Sequence, residues 1–314
     1  MKIIRGLEVL SKSYPNTILT IGNFDGVHLG HQKILSEVIK KAKEVKGTSM
    51  AITFEPHPMK VLAPEKKIRI LTPFEEKAKL LEEMGIKVLL CINFNKEFSN
   101  LLPDHFIEDM LVKKIKAKEI IVGTKYAFGK NKKGTVELLR RRGNKFGFKV
   151  KVIRNVRIHG DIVSSSKIRS LLLKGEARET STFLGRAYSI EGRVIKGEGR
   201  GRSLLNIPTA NITTPVEIAP KEGVYAVRVC FNSSLFEGVA NIGRNPTFGN
   251  SDISYEVHLF NFSGNILGKN IRIYFIDRIR SEKFFPAPSS LETQIRNDIE
   301  HAEKILSRNH PKLI

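Results

Sequence analysis

The chain has 314 residues, 41% of them hydrophobic and 27% charged, with 24 Gly and 13 Pro. At roughly 150 residues per domain this fits about two domains, and the composition excludes a collagen-like or largely disordered chain. The net charge of +21 is carried mostly by the first half, with a strongly basic stretch at 111–158. Such a field attracts polyanions (nucleotides, nucleic acid, acidic surfaces) without choosing among them, and a Lys-rich solvated surface produces the same imbalance. No apolar run reaches the ~18 residues of a membrane helix, and the N-terminus lacks the apolar block of a signal peptide. Cys91 and Cys230 sit in apolar strand-like runs in different halves, which reads as reduced core thiols and a cytoplasmic protein.

In chain order, 17–24 reads as a strand. A helix from about Gly30 to Lys46 follows, with Ile34, Leu35, Val38, Ile39, Ala42 and Val45 on one face and Gly47 as its stop. Next come a strand at 50–56, a helix at 73–85 opened by Pro73 and closed by Gly85, and a strand at 87–94. A helix near 103–115, a strand at 119–123, a helix near 134–143, a strand at 148–153 and a helix at 165–175 complete the half. This alternation predicts a mainly parallel sheet covered by helices. A boundary falls near 180–187, in polar EARETSTFLGR. Beyond it, YSIEGRVI, GVYAVRVCF, LFEGVANI, SYEVHLFNF and NIRIYFIDRI are short strands separated by turns, the pattern of an antiparallel barrel or sandwich. Residues 289–306 have helical periodicity, with Ser289 or Ser290 as candidate caps.

The most informative segment is GNFDGVHLGHQ (22–32), where a strand ends and a helix begins. Open α/β sheets bind phosphates at such junctions. Gly22, Gly26 and Gly30 permit close backbone approach to a ligand, and Phe24 and Asp25 belong to the same loop. His28 and His31, three apart, can face one point and stabilise charge building on a phosphate. By spacing alone the pair also fits metal binding or accident.

GNFDGVHLGH resembles the HxGH motif of nucleotidylyltransferases, and in its longer form the adenylyltransferase module of bacterial bifunctional riboflavin kinase/FAD synthetases. TFEPHP (53–58) is similar to that family's F-x-P-H-P segment, which implies a flavin-binding role for Pro56, His57 and Pro58. SSSKIRSLLLKG (164–175) resembles its S-S-T-x-I-R segment, which implies phosphate binding by Ser164, Ser165, Ser166 and Arg169. Taken singly, the serines also read as a helix cap and His57 as a turn residue. VGTKYAFGKNKKGT (122–135) resembles V-G-x-(D/N)-F-x-F-G, but Lys125 replaces the Asp/Asn and Tyr126 the first Phe. A lysine cannot accept a hydrogen bond. The resemblance implies that Lys125, Tyr126 and Phe128 lie near the flavin. Lys125 either contacts a phosphate or weakens adenylyl transfer.

RVIKGEGRGRSLLNIPTANI (193–212) is the second signal. Gly197, Gly199 and Gly201, with Arg200, make a basic loop able to close over phosphates, and equally a hairpin turn. Thr209 and Asn211 offer hard oxygen ligands on one side of an extended segment, a donor set suited to Mg2+. The stretch resembles the riboflavin kinase signature ending G-F-P-T-A-N, with Asn206-Ile207 in place of Gly-Phe. Later segments match in order. Among them Glu256 stands at the family's catalytic glutamate, which implies a general base, although a solvent-facing strand residue is the plain alternative. Asn261 replaces the usual Asp downstream. Arg280 and Phe284 would help frame the flavin pocket.

The resemblance covers about residues 6–306. It implies a Rossmann-like nucleotidyltransferase domain with a mainly parallel sheet (1–183), followed by an antiparallel β-barrel riboflavin kinase domain with a C-terminal helix (184–314). It further implies ATP-dependent conversion of riboflavin to FMN, then adenylylation of FMN to FAD with release of pyrophosphate. ATP, riboflavin and FMN would be the partners and Mg2+ the cofactor, with no membrane. Two other readings stay open. One is a flavokinase whose adenylyltransferase half is impaired at Lys125. The other is an RNA-binding protein, against which stand the absence of Trp and of an RNA-binding motif.

Overall fold

The computed structural model describes residues 1–10, 14–196, 209–244, 253–308 and 312–313. The chain divides into two compact units, Met1–Ser164 and Ser165–Ile314.

In the first unit, six strands make one parallel sheet: β1 (Lys2–Arg5), β2 (Ile18–Ile21), β3 (Ser49–Glu55), β4 (Val88–Asn93), β5 (Glu119–Gly123) and β6 (Lys149–Ile153). Their order is β1-β4-β3-β2-β5-β6. Successive residues of each strand point to opposite faces, and both faces are covered, so the inner strands are apolar over most of their length. Leu19, Ile21, Met50, Ile52, Leu90 and Ile120 face one core with Phe106, Ile107 and Leu111. Ile18, Ala51, Leu89, Cys91 and Ile121 face the other, against α1 (Leu29–Glu44) and α3 (Phe74–Met84). Leu35 and Val38 on α1 are fully buried, each contributing about 1.5–3 kcal/mol relative to exposure. Strand β1 has no counterpart in the sequence reading, because only one of its four residues is buried and alternation is invisible at that length.

Between β3 and α3 lies α2 (Pro58–Leu62), and α4 (Lys96–Ser99) follows β4. The helix expected near 103–115 starts as α5 (Pro103–His105) and continues through Lys114 with π-helical winding. Its wider turns close with Ile115 N–H on the Met110 carbonyl at 2.9 Å. α6 (Val136–Phe146) precedes β6, and a small hairpin, β7 (Arg157–Ile158) with β8 (Asp161–Ile162), ends the unit.

The second unit opens with α7 (Ser165–Lys174) and α8 (Ala177–Leu184). The polar stretch read as a boundary is therefore helical over most of its length. It buries Ala177, Thr180, Ser181, Phe183 and Leu184 and packs on the barrel strands that follow. Those strands are β9 (Tyr188–Ile195), β10 (Ala210–Thr213), β11 (Gly223–Phe231), β12 (Ser234–Arg244), β13 (Ile253–Leu259) and β14 (Asn270–Arg280). They close antiparallel in the order β10-β13-β12-β11-β14-β9. Closure leaves no sheet edge to pair with another chain. Tyr188 and Tyr225 fill the interior with Phe275. Outside, α9 (Pro288–Leu306) lays Ala302 and Leu306 over Val224, Ala226, Val239, Tyr274 and Ile276. Neither candidate serine caps α9; Ala287 holds the N-cap position, and the Ser290 hydroxyl donates to its carbonyl at 2.7 Å.

Candidate active sites

In the parallel sheet, β2 is flanked by β3 on one side and β5 on the other, so strand order reverses there. Ligands of open α/β sheets bind beyond the carboxyl ends of the strands at such a reversal. Here β2 and β5 pair only at Ile18–Glu119 and Leu19–Ile120, whereas β2 and β3 pair over four residues. Three sequence motifs leave the sheet at this end: GNFDGVHLGH after β2, PHP after β3 and TKYAFG after β5. The topology thus gathers segments that are far apart in the chain.

The loop after β2 is tightly wound, with positive φ at Phe24, Gly26 and Val27. Asp25 is buried and its Oδ1 accepts the Leu71 and Thr72 N–H groups at 2.9 and 3.2 Å. That ties the loop to the segment before α3, a structural task beside the phosphate-binding one expected of it. Phe24 is buried and meets His31 edge-on at 5.4 Å. A Cβ on Gly22 would stand 3.2 Å from the Phe24 ring. One on Gly30 would stand 3.1 Å from His28 and 3.6 Å from the Val163 carbonyl. The last contact brings the residue before Ser164 to the first turn of α1.

His28 is the N-cap of α1, its Nδ1 accepting the His31 N–H at 3.3 Å. With a lone pair on Nδ1, the neutral ring carries its proton on Nε2. The two imidazoles stack at 3.6 Å, 16° from parallel. His31 Nδ1 is buried without a hydrogen-bond partner among the described residues. Burial, then His28, then Lys77 hold His31 well below the ordinary imidazole range. Two positive rings at this distance would repel, so a charge on His28 disfavours one on His31.

Lys77, on α3, escaped the sequence reading because it occurs in an ordinary helix pattern. It is only 3% exposed. Burial pulls its ammonium below the usual lysine range, against the opposing pull of Glu55 and Asp25. Asn23 also escaped as a separate candidate. Its carboxamide lies 3.1 Å from His57 Nε2, joining the motifs after β2 and β3. His57 itself caps α2 by accepting the Met59 N–H at Nδ1, with Pro56 before it and Pro58 at the first helical position.

After β5, Lys125 is exposed. Tyr126 stacks on Phe128 at 5.4 Å, and its hydroxyl is buried with no partner among the described residues. Burial pushes the phenol upward from its ordinary range. Ser164 ends the first unit, whereas Ser165, Ser166 and Arg169 belong to α7 of the second.

In the barrel, Asn211 on β10 lies directly opposite Glu256 on β13, and Glu256 lies opposite Asn241 on β12. Directly paired residues share a sheet face, with Cβ atoms about 4.5–5.5 Å apart. Tyr255 and Val257 on either side of Glu256 are buried, while Glu256 is half-buried, so this row faces outward. Thr209, just before β10, is exposed. Asn241 is the residue here that the sequence reading did not single out; only strand pairing places it next to Glu256. Gly197, Gly199, Arg200 and Gly201 lie outside the described residues. Arg280 is engaged within its own unit. Its guanidinium forks onto Asp298 of α9, at 2.9 and 3.0 Å from Nε and 2.7 Å from the second nitrogen. Phe284 is 93% exposed.

The FAD synthetase family model matches residues 10–167 and the riboflavin kinase family model matches 184–306. A bifunctional riboflavin kinase/FMN adenylyltransferase of Buchnera aphidicola is 40% identical over 97% of this chain and 98% of that protein. Those of Haemophilus influenzae and Bacillus subtilis are 36% and 35% identical, over 96% of this chain and 98% and 96% of theirs. A Streptococcus pneumoniae crystal structure named as a macrolide-efflux protein superposes with a TM-score of 0.89 at 28% identity. It covers 98% of this chain and 100% of that one. The efflux name stays with that protein; no helix among the described residues is long and apolar enough to cross a membrane. With both family models matched in order and relatives of this identity spanning nearly the whole chain, the chain belongs to the family of bifunctional riboflavin kinases/FMN adenylyltransferases.

Proposed function

We propose that the two reactions of the family are divided between the two sites: the barrel phosphorylates riboflavin, and the crevice of the parallel sheet adenylylates FMN. The observation that carries this reading is the coincidence of each site with its own family match. His28 and His31 fall in the FAD synthetase segment, and Thr209, Asn211 and Glu256 in the riboflavin kinase segment. The domains would be 1–183 and 184–314, with ATP, riboflavin and FMN as ligands.

In the kinase step, the Glu256 carboxylate accepts the proton of the ribityl hydroxyl as its oxygen attacks the γ-phosphorus of ATP, and ADP leaves. Phosphoryl transfer asks mainly for positioning and charge stabilisation, plus one proton acceptor. The hydroxyl of Thr209 and the carboxamide oxygen of Asn211 are hard donors beside a carboxylate, a set that fits Mg2+ completed by nucleotide phosphates and water. Bound there, the ion would neutralise phosphate charge. In the second step, a phosphate oxygen of FMN attacks the α-phosphorus of ATP, FAD forms, and pyrophosphate carries away the displaced electron pair. The His28 Nε2 proton and the dipole of α1 face the charge that develops. Both cysteines are free thiols, which supports a reducing compartment, the cytoplasm.

The test is to incubate the full chain with riboflavin, ATP and Mg2+ and to separate the flavins. Wild type should yield FMN and then FAD. Glu256→Gln should lose riboflavin phosphorylation by about 10²–10⁴-fold while still converting supplied FMN to FAD. A His28→Ala, His31→Ala variant should do the opposite. FMN without FAD from wild type would instead favour a kinase impaired at Lys125. No phosphorylated flavin at all would overturn the proposal.

A further inference from the structure

We infer that the amino end of the parallel sheet, opposite the crevice, is a docking edge for double-stranded nucleic acid, held through its phosphate backbone. This role adds to the flavin chemistry and does not depend on it.

All six strands run parallel, so their first residues share one end of the sheet and the crevice motifs leave from the other. Every strand but β2 begins at, or within three residues of, an exposed lysine. These are Lys2 at β1, Lys46 before β3, Lys87 before β4, Lys118 before β5 and Lys149 at β6. Backbone hydrogen bonds set the strand starts side by side. Lys2 N–H donates to the Lys87 carbonyl at 2.8 Å and Lys87 N–H to that of Ser49 at 3.1 Å. Lys118 N–H donates to the Thr17 carbonyl at 2.9 Å and Lys149 N–H to that of Lys118 at 2.9 Å. At about 4.8 Å between neighbouring strands, the row spans about 24 Å.

Nearby carboxylates do little to cancel this charge. Glu44 pairs with Lys41 at 2.9 Å, Glu82 pairs with the N-terminal ammonium, and Glu119 is buried. Glu83, near the end of α3, is exposed. None of the five lysines has an ion pair among the described residues.

The length of the row selects the partner. A free nucleotide is too short to reach across it, whereas a duplex carries one negative charge per about 1.7 Å of axis. Single strands are gripped by aromatic rings open to stack on bases. At this end Phe148 is buried, and Tyr14 and Phe146 pack against the same core. The contact is therefore to phosphates, which position a duplex without reading its sequence.

The test uses the full chain and a fluorescein-labelled DNA duplex of about 20 base pairs, its anisotropy followed from about 50 to 200 mM KCl. Wild type should bind, with log K falling against log[KCl] at a slope of about −4, since each neutralised phosphate contributes about −0.9. A Lys87→Gln, Lys118→Gln, Lys149→Gln variant should bind at least about tenfold more weakly, its slope reduced by about 2.7. Its riboflavin phosphorylation and FMN adenylylation should match wild type, a check that it folds. A Lys132→Gln, Lys133→Gln variant, altered beyond the carboxyl end of β5, should bind the duplex as wild type does. Equal losses in the two variants would assign the binding to diffuse surface charge and overturn the inference, as would no binding by wild type at the lowest salt. Binding of phosphatidylserine vesicles but not of the duplex would overturn it in favour of a membrane surface. A wild type that binds duplex but phosphorylates no flavin would leave the edge standing and overturn the two-site reading instead.

Discussion

Asn211 and Glu256 stand directly opposite each other on β10 and β13, although two strands, β11 and β12, lie between them in the sequence. A candidate metal-holding carboxamide and a candidate proton acceptor are thereby neighbours on one barrel face. Replacing Asn211 with Leu removes one of two proposed oxygen ligands and keeps a strand-compatible side chain. Riboflavin phosphorylation should then need at least tenfold more Mg2+ for half-maximal rate, with FAD formation from supplied FMN unchanged. A Mg2+ titration of each reaction checks both halves.

The buried state of His31 has a pH consequence. Its folded value lies below the ordinary 6.5, so below that pH the unfolded chain binds a proton that the folded chain does not. The stability His31 contributes is full above about pH 6.5 and is lost as pH falls toward its folded value. Thermal unfolding of the first unit should therefore weaken from pH 6.5 downward. In His31→Gln that acid limb should be shallower.

Lys77 adds to the same effect from beneath. Its charge is one of the influences holding His31 down, while Asp25 and Glu55 remain nearby whether or not the lysine is present. In Lys77→Met the His31 ring should titrate at higher pH than in wild type. NMR of the imidazole protons reads this directly, and an unchanged titration would separate the two groups.

The Arg280–Asp298 fork joins β14 to α9, and Gln294 donates to the same carboxylate at 2.9 Å. Asp298 is 3% exposed. Asp298→Ala leaves a largely buried guanidinium without its partner, a loss of about 3–5 kcal/mol. Denaturant unfolding should show the second unit destabilised by that order. Asp298→Asn, which keeps one acceptor, should cost less.

The Tyr126 hydroxyl carries a desolvation cost with no hydrogen bond among the described residues to offset it. Buried unsatisfied groups cost about 1–3 kcal/mol. Tyr126→Phe should raise the melting temperature of the ligand-free protein, by an amount near 1 kcal/mol of stability. Scanning calorimetry without flavin is the check.

What the amino-acid order determined by itself is the local grammar. Period-two runs such as 188–195 and 223–231 became strands with those bounds, and the helix faces of α1 and α3 follow their apolar spacing. Motifs were legible for the same reason, since His28 and His31 are neighbours on one turn. Tertiary structure decided what depends on pairing between distant segments. The reversal of strand order beside β2, the Asn23–His57 link, the burial of Lys77 and the row Asn211–Glu256–Asn241 each join residues through sheet register or packing. Short-range patterning cannot encode such partners, because a strand's sequence fixes which face a side chain takes but not which strand lies beside it.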